Sequence, residues 1–379
     1  MIVRTGDNII SALGFTTDEN YRAVKAGGTG LRPYGCRKDL PEPFVAALID
    51  RERLNDCFSS QCSRPGNYTP LEKAAILSAG RAAEAACLDL SGSRVAFFFS
   101  STKGNIHLLD EKETGFSRDH LYLWHTAQTV AGYFRNPNTP VVVSNACISG
   151  ASAQIAALRE LEAGYCDYAV VTGVDFLSRF IIAGFQSLKA LSPAVCRPFD
   201  AARSGLNLGE AAATLIYKRV SGETSGVALL RGSVRNDANH ISGPSRTGEG
   251  SFLALQAVME GLSPEDTAFI NAHGTATSYN DRMEAIAITR AGLHSVYVNS
   301  LKGSFGHTLG AAGVLESILS IRALQEGIVL PVPGFETGET DFPLKIATAP
   351  VRTTKSFFVK MLSGFGGCNA ALVFKDLGR

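Results

Sequence analysis

Val141-Val-Val-Ser-Asn-Ala-Cys147-Ile-Ser-Gly-Ala-Ser-Ala-Gln-Ile-Ala-Ala-Leu-Arg-Glu-Leu161 and Tyr297-Val-Asn-Ser-Leu-Lys302-Gly-Ser-Phe-Gly-His307-Thr-Leu-Gly-Ala-Ala-Gly-Val-Leu-Glu316-Ser-Ile-Leu-Ser-Ile-Arg-Ala-Leu324 share one layout. In each, a short apolar run gives way to a small polar turn and then to an Ala-rich stretch, the order of a buried strand feeding a helix. A second pair, Arg94–Gly104 (RVAFFFSSTKG) and Thr267–Thr277 (TAFINAHGTAT), runs from a buried strand into a polar turn containing Thr. Two such matches point to an internal duplication. One half is expected to span 1–225 and the other 226–379, parted at the polar stretch Lys218–Ser225.

Outward from these segments, apolar runs of strand length alternate with amphipathic stretches along the chain, the pattern of an α/β protein with helix-covered sheets. Strands are expected at Arg94–Ser100, Pro140–Asn145, Tyr168–Thr172, Ala211–Tyr217, Gly226–Val234, Ala268–Asn271, Val296–Asn299, Ser356–Met361 and Ala370–Phe374. Long helices are expected at Pro70–Ala86, Ser149–Ala163, Arg282–Arg290 and Gly310–Glu326. Leu31–Tyr68 and Asp110–Asn138 lack clear periodicity and read as excursions from the core.

Composition narrows the function. The 379 residues include 36 basic and 35 acidic side chains, a net charge of +1, which argues against nucleic acid as the main partner. With 45% hydrophobic residues the chain can bury a sizeable core. No run approaches the ~18 apolar residues of a membrane span, and Met1-Ile-Val-Arg-Thr-Gly lacks the layout of a signal peptide, so a cytoplasmic location is expected. The 8 cysteines form no Cys-x-x-Cys pair, which suggests neither a disulfide scaffold nor a zinc ribbon.

Four elements can carry chemistry. Cys147 sits where the first quoted turn meets its helix, and a helix N-terminus contributes ~0.3–1 kcal/mol toward a thiolate; alone, it also reads as a packed small hydrophobe. His273 lies in Phe-Ile-Asn-Ala-His273-Gly-Thr275-Ala-Thr277, an imidazole delivered to a Gly turn between two hydroxyls. Lys302 precedes His307 by five residues, close enough to hydrogen-bond around the loop, and Glu316 follows in an otherwise apolar helix where it needs a buried partner. Gly364-Phe365-Gly366-Gly367-Cys368-Asn369 can aim backbone N–H groups into a cleft, as an oxyanion hole requires. Each has a plain structural reading in isolation; together they describe a thiol nucleophile, two imidazoles, a lysine and an anion-stabilising loop.

At these residues the sequence resembles a β-ketoacyl-acyl carrier protein synthase, of the condensing-enzyme family with the thiolase fold. The likeness runs over nearly the whole chain and includes Arg197-Pro-Phe199-Asp200-Ala-Ala-Arg203-Ser-Gly205-Leu-Asn-Leu-Gly209-Glu210, with Asp281 and Glu284 downstream of the His-Gly-Thr segment. It implies two similar halves in a five-layer αβαβα sandwich, and a homodimer. It also implies Cys147 as the acyl-accepting nucleophile and His273 with His307 as the pair facing a malonyl thioester. Lys302 would orient His307, with Glu316, Glu284 and Asp281 as polar support. Thr275, Thr277 and Phe199 would contact substrate on its phosphopantetheine arm, and Asp237 and His240 would belong to a mobile loop at the cavity mouth. The N–H groups of Cys147 and Phe365, with Gly366 beside them, would form the oxyanion hole, and the Phe365 ring would gate the acyl channel. Ala276, Ser204, Leu206 and Cys368 depart from the family's usual residues and bear on substrate choice.

The implied reaction is a decarboxylative Claisen condensation on acyl carrier protein in fatty-acid or polyketide and polyene synthesis, with no metal or redox cofactor. Two other readings stay open. A thiolase acting on coenzyme A thioesters would use Cys368 as a second acid/base, and a non-catalytic chain-length partner would pair with a synthase in a heterodimer.

Overall fold

The computed structural model describes residues 1–36, 40, 42–62, 64–110, 115–222, 224–338 and 341–379. Buried runs of Val, Ile, Phe and Ala build two sheets in which a five-strand order repeats, the second extended at its edge by the short strand Lys345–Ile346. β1 (Ile2–Ser11), β2 (Val95–Ser100), β3 (Val141–Val143), β4 (Tyr168–Asp175) and β5 (Ala211–Arg219) lie side by side as β3-β2-β4-β5-β1. β6 (Val227–Asn236), β7 (Thr267–Asn271), β8 (Tyr297–Asn299), β9 (Phe357–Gly364) and β10 (Cys368–Asp376) repeat that order as β8-β7-β9-β10-β6. Pairing directions repeat too: the first strand with the fifth and the fifth with the fourth are antiparallel, the fourth with the second and the second with the third parallel. The sheets join edge to edge only where Val3 faces Ala228.

Six helices layer these sheets: α1 (Pro70–Ala86), α2 (Leu123–Tyr133), α3 (Ser149–Ala163), α4 (Glu249–Met259), α5 (Ser278–Arg290) and α6 (Ala312–Glu326). α1 and α2 cover the outer face of the first sheet, where Leu71, Ile76 and Val130 pack on Phe97, Phe99 and Ile216. α4 and α5 cover the second, with Leu255, Val258 and Ile288 against Ile270, Val359 and Val373. α3 and α6 lie between the sheets in one core, and 12 of the 15 α6 residues are buried, as a helix with apolar neighbours on every side requires. Their close crossing depends on missing side chains: a Cβ on Gly313 would come 2.4 Å from the Ala151 nitrogen.

The quoted segments become β3–α3 and β8–α6, the third strand and following helix of each sheet, and the other pair becomes β2 and β7, the second strands. β1 escapes sequence reading because Arg4, Gly6, Asp7 and Asn8 break its apolar pattern. In the fold Asp7 pairs with Arg4 and accepts the Thr17 hydroxyl at 2.8 Å, and a register shift between Arg4 and Gly6 absorbs the irregularity. The two excursions are partly regular: Leu31–Tyr68 holds a strand at Phe44–Ala47 and a helix at Arg51–Gln61, and Asp110–Asn138 holds α2, while Glu111–Thr114 lie outside the described residues. Among the described residues no helix is long and apolar enough to cross a membrane.

Candidate active site

Between β3 and α3 the chain turns so tightly that Ala146 adopts φ +45°, a left-handed conformation costing ~1–2 kcal/mol for a residue with a Cβ. Ser149 holds the turn: its Oγ accepts the Asn145 N–H at 2.8 Å and donates to the Ala146 carbonyl at 2.5 Å. The turn places Cys147, 7% exposed, at the floor of a cavity of about 450 Å³.

β7 delivers His273 to the same floor. Glu284 of α5 clamps that turn from behind, accepting the backbone N–H groups of His273 and Gly274 at 2.7 Å each. Asp281 accepts those of Phe199 at 2.7 Å and Ala276 at 3.2 Å. β8 delivers the third group: the His307 N–H donates to the Asn207 carbonyl at 2.7 Å, and its own carbonyl accepts from Gly209 at 3.0 Å. The two imidazoles meet edge to face, centroids 5.0 Å apart and planes at 84°. The Cys147 Sγ and one nitrogen from each ring lie within 4.8 Å of one another.

The unpaired atoms of this trio are informative. His307 Nδ1 accepts the Leu309 N–H at 3.4 Å, which in the neutral ring leaves the proton on Nε2. That Nε2 and the His273 Nδ1 are buried without a hydrogen-bond partner among the described residues. Burial, and then the Lys302 ammonium, hold both imidazoles well below the ordinary histidine value, so both are neutral at pH 7. Burial pushes the Cys147 thiol up to about 12, with Lys302 and a hydrogen bond from the Phe365 backbone acting in the opposite sense. The helix-start argument is thereby corrected: α3 begins two residues after Cys147, and desolvation outweighs any pull toward the thiolate in the empty site.

Family models described as Beta-ketoacyl synthase, N-terminal domain and Beta-ketoacyl synthase, C-terminal domain match residues 62–222 and 227–336. The chain belongs to the β-ketoacyl synthase family. Over 417 aligned residues it is 32% identical to 3-oxoacyl-[acyl-carrier-protein] synthase 2 of Vibrio cholerae, covering 99% of each chain. Against nodulation protein E of Rhizobium meliloti identity is 34% over 246 residues, and the match spans only 62% of this chain and 61% of that one. A chain of the solved complex of the ketosynthase ApeO with its chain length factor ApeC, from Xenorhabdus doucetiae, superposes with TM-score 0.85 at 26% identity, covering 99% of this chain and 98% of that one. The ishigamide ketosynthase/chain length factor reaches TM-score 0.89 at 24% identity, with 99% and 98% covered, and shares the thiolase-like fold.

In this member of the family the cavity wall holds Thr275 and Thr277, their hydroxyl oxygens 2.9 Å apart, beside Phe365, whose ring stacks on Phe185 at 5.8 Å. Asp237 and His240 also line it, but each is occupied in shaping its own loop. Asp237 accepts the N–H groups of Asn239 and Ser245, and His240 Nδ1 accepts those of Ser242 and Gly243. Four expectations need correction. Phe199 does not line the cavity; it packs in the second-sheet core, behind the Gly274 turn. Gly366 does not offer its N–H to the cavity, because that group donates to the Ile241 carbonyl at 2.7 Å. Lys302 turns to Glu316 at 2.5 Å rather than hydrogen-bonding His307, and it acts on the ring through its charge. Cys368 directs its thiol at the Phe365 carbonyl, 3.2 Å away, and is absent from the cavity lining.

Two polar anchors escaped the sequence reading. Lys360 of β9, fully buried, places Nζ 2.6 Å from Glu316 Oε2, so one carboxylate is held between two ammoniums. Burial raises the Glu316 pKa, but the two cations more than offset this and hold it below the usual range. Asp175, at the end of β4, accepts from the Ser101 hydroxyl at 2.7 Å and the Gly310 N–H at 2.6 Å, tying the sheet to the turn before α6. The available signal was a lone Lys inside an apolar strand, Phe-Phe-Val-Lys360-Met-Leu, and a lone Asp ending one, Thr-Gly-Val-Asp175.

Proposed function

We propose that this chain catalyses the decarboxylative condensation of an acyl group with a malonyl thioester, giving a β-ketoacyl thioester. One observation carries the reading: a thiol and two neutral imidazoles converge within 4.8 Å at the floor of a cavity wide enough for an extended thioester arm. In the first half-reaction Cys147 Sγ attacks the acyl thioester carbonyl, the carrier sulfur leaves, and the thiol proton ends on that departing sulfur. In the second, the malonyl carboxylate leaves as carbon dioxide and its bonding electrons become an enolate. Nε2–H of His307 and an N–H of His273 donate to the enolate oxygen, a role that requires neutral rings. The carbanion then attacks the acyl-cysteine carbonyl, expelling the Cys147 sulfur as a thiolate that takes a proton from water, while the backbone N–H groups of Cys147 and Phe365 receive the transient oxyanion. Each such donor is typically worth ~10²–10³ in rate. Electrons balance among the two thioesters, so the chemistry calls for no metal or redox cofactor.

The substrates reach the cavity on the phosphopantetheine of an acyl carrier protein, whose arm contacts Thr275 and Thr277. The working form is cytoplasmic and dimeric, either with a second copy or with a synthase-like subunit. An intact Cys147 opposes the role of an inert chain-length partner, and the turned-away Cys368 thiol opposes a thiolase.

Intact-protein mass spectrometry after exposure to acyl-carrier thioester tests the nucleophile: one acyl adduct is expected on the parent and none on Cys147→Ala. That variant should still release carbon dioxide from malonyl thioester, while His307→Ala should lose both activities. An equal adduct on the Cys147 variant would refute the assignment.

A further inference from the structure

Away from the cavity, Glu72, His120 and His125 bring a second set of donors together where α1 begins and the chain enters α2. We propose that these three side chains bind a first-row divalent cation of the zinc type, stapling the α2 segment to the outer face of the first sheet.

Two imidazoles and one carboxylate with a fourth position left for water form an established zinc donor set. Here one carboxylate oxygen and one nitrogen from each ring lie within 4.8 Å of one another. His120 Nδ1 is 3.0 Å from Glu72 Oε1, close to the ~3.4 Å separating ligand atoms that sit ~2.0–2.1 Å from a tetrahedral ion. The two rings meet edge to face, centroids 4.5 Å apart and planes at 64°.

Helix capping does not use up this cluster. Glu72 closes the capping box of α1, but it does so through Oε2, which accepts the Thr69 N–H at 2.9 Å, while Oε1 faces His120 and the Asn105 amide. Among the described residues the only ion pair of this fully buried carboxylate is with His120. Among the described residues no lysine or arginine pairs with this buried anion, which favours a cation at that point. Two further polar atoms are idle: His125 Nδ1 and the Oδ1 of Asn105 are buried without a partner among the described residues. Asn105 is itself fully buried and donates to Glu72 Oε1 at 3.3 Å, so its amide belongs to the same cluster. The His120 side chain is 13% exposed, which gives an ion and its water a way in.

The full chain carrying Cys147→Ala, which removes the thiol of the catalytic trio as a competing ligand, is stripped with chelator and titrated calorimetrically with Zn²⁺. One equivalent should bind, with a rise in Tm. Adding His125→Ala or His120→Ala should weaken binding roughly 100-fold. Co²⁺ at the site should show d–d bands without a sulfur-to-metal charge-transfer band. His125→Gln, with far-UV circular dichroism as the folding check, separates a lost ligand from a lost fold. Unchanged Zn²⁺ affinity in the folded His variants, a thiolate band with Co²⁺, or no saturable binding would each overturn the proposal.

Discussion

Glu316→Gln should be among the most damaging single substitutions in the protein, and by more than its shape change suggests. The carboxylate separates two ammoniums, Lys302 on one oxygen at 2.5 Å and Lys360 on the other at 2.6 Å, all three side chains being 3% exposed or less. Two cations seated on one carboxylate are at most about 7 Å apart, so their mutual repulsion is at least about 2 kcal/mol at an effective dielectric constant of 20. Losing one partner of a buried ion pair typically costs ~3–5 kcal/mol, and an amide cannot compensate both lysines. We expect a loss of about 3 kcal/mol at pH 7, read by urea denaturation with m unchanged. Lys360→Met should cost less than about 1.5 kcal/mol, since it leaves the Lys302–Glu316 pair neutral and replaces a buried ammonium by a thioether of similar length. The pH dependence carries a second check. Burial already brings the Lys360 pKa down to about 8, Glu316 opposing that shift, so the folded state binds fewer protons than the unfolded chain below the unfolded lysine value. Removing Glu316 lowers the folded value further, and stability of the variant should recover as pH rises from 7 to 9. A Glu316→Gln loss under 1 kcal/mol, or a loss equal to that of Lys360→Met, would refute the reasoning.

Glu284 is pushed up to about 7 by burial and then by Asp281, which outweigh its backbone hydrogen bonds. A carboxyl with a raised folded pKa stabilises most below its unfolded value, and that contribution fades as pH rises through 7, here on the order of 3 kcal/mol. Thermal melts of Glu284→Gln between pH 5 and 8 should be flatter than those of the parent; parallel curves would contradict the sign. Gly313→Ala should cost at least about 1–3 kcal/mol, because its methyl would meet the α3 backbone and separate the two central helices; a melt within 1 °C of the parent would show that the crossing relaxes freely. The site imidazoles should stay neutral from pH 8 down to pH 6 because burial holds them below the usual histidine range. Ring carbon shifts in NMR spectra of ¹³C-histidine protein read this directly, and titration of either ring within that window would count against it.

Much of the architecture was legible because periodicity is local. α1 and α3 run as read, Pro70–Ala86 and Ser149–Ala163, since a capping box with Pro at the first turn and a terminal Gly164 mark ends within a few residues. The repeated strand-turn-helix layout foretold which segments occupy matching places in the two sheets. β1 was missed because its polar residues break the apolar pattern and find partners that only the fold supplies, Thr17 beside Arg4 for Asp7 and the Phe15 carbonyl for Asn8. Lys360 stands out locally as a lone cation in an apolar strand, but its role was missed because its carboxylate partner is on α6, far off in the chain.

Chemical identity, then, was set by the chain alone: a thiol, two imidazoles and a glycine turn, each placed at a strand end by local pattern. Protonation and aim were decided only by the folded molecule. Desolvation and through-space charge depend on what surrounds a group, and the groups around Cys147, His273 and His307 come from both halves of the chain. Hence the sequence could name the sulfur yet expect it partly ionised, while burial at the packed floor favours the thiol.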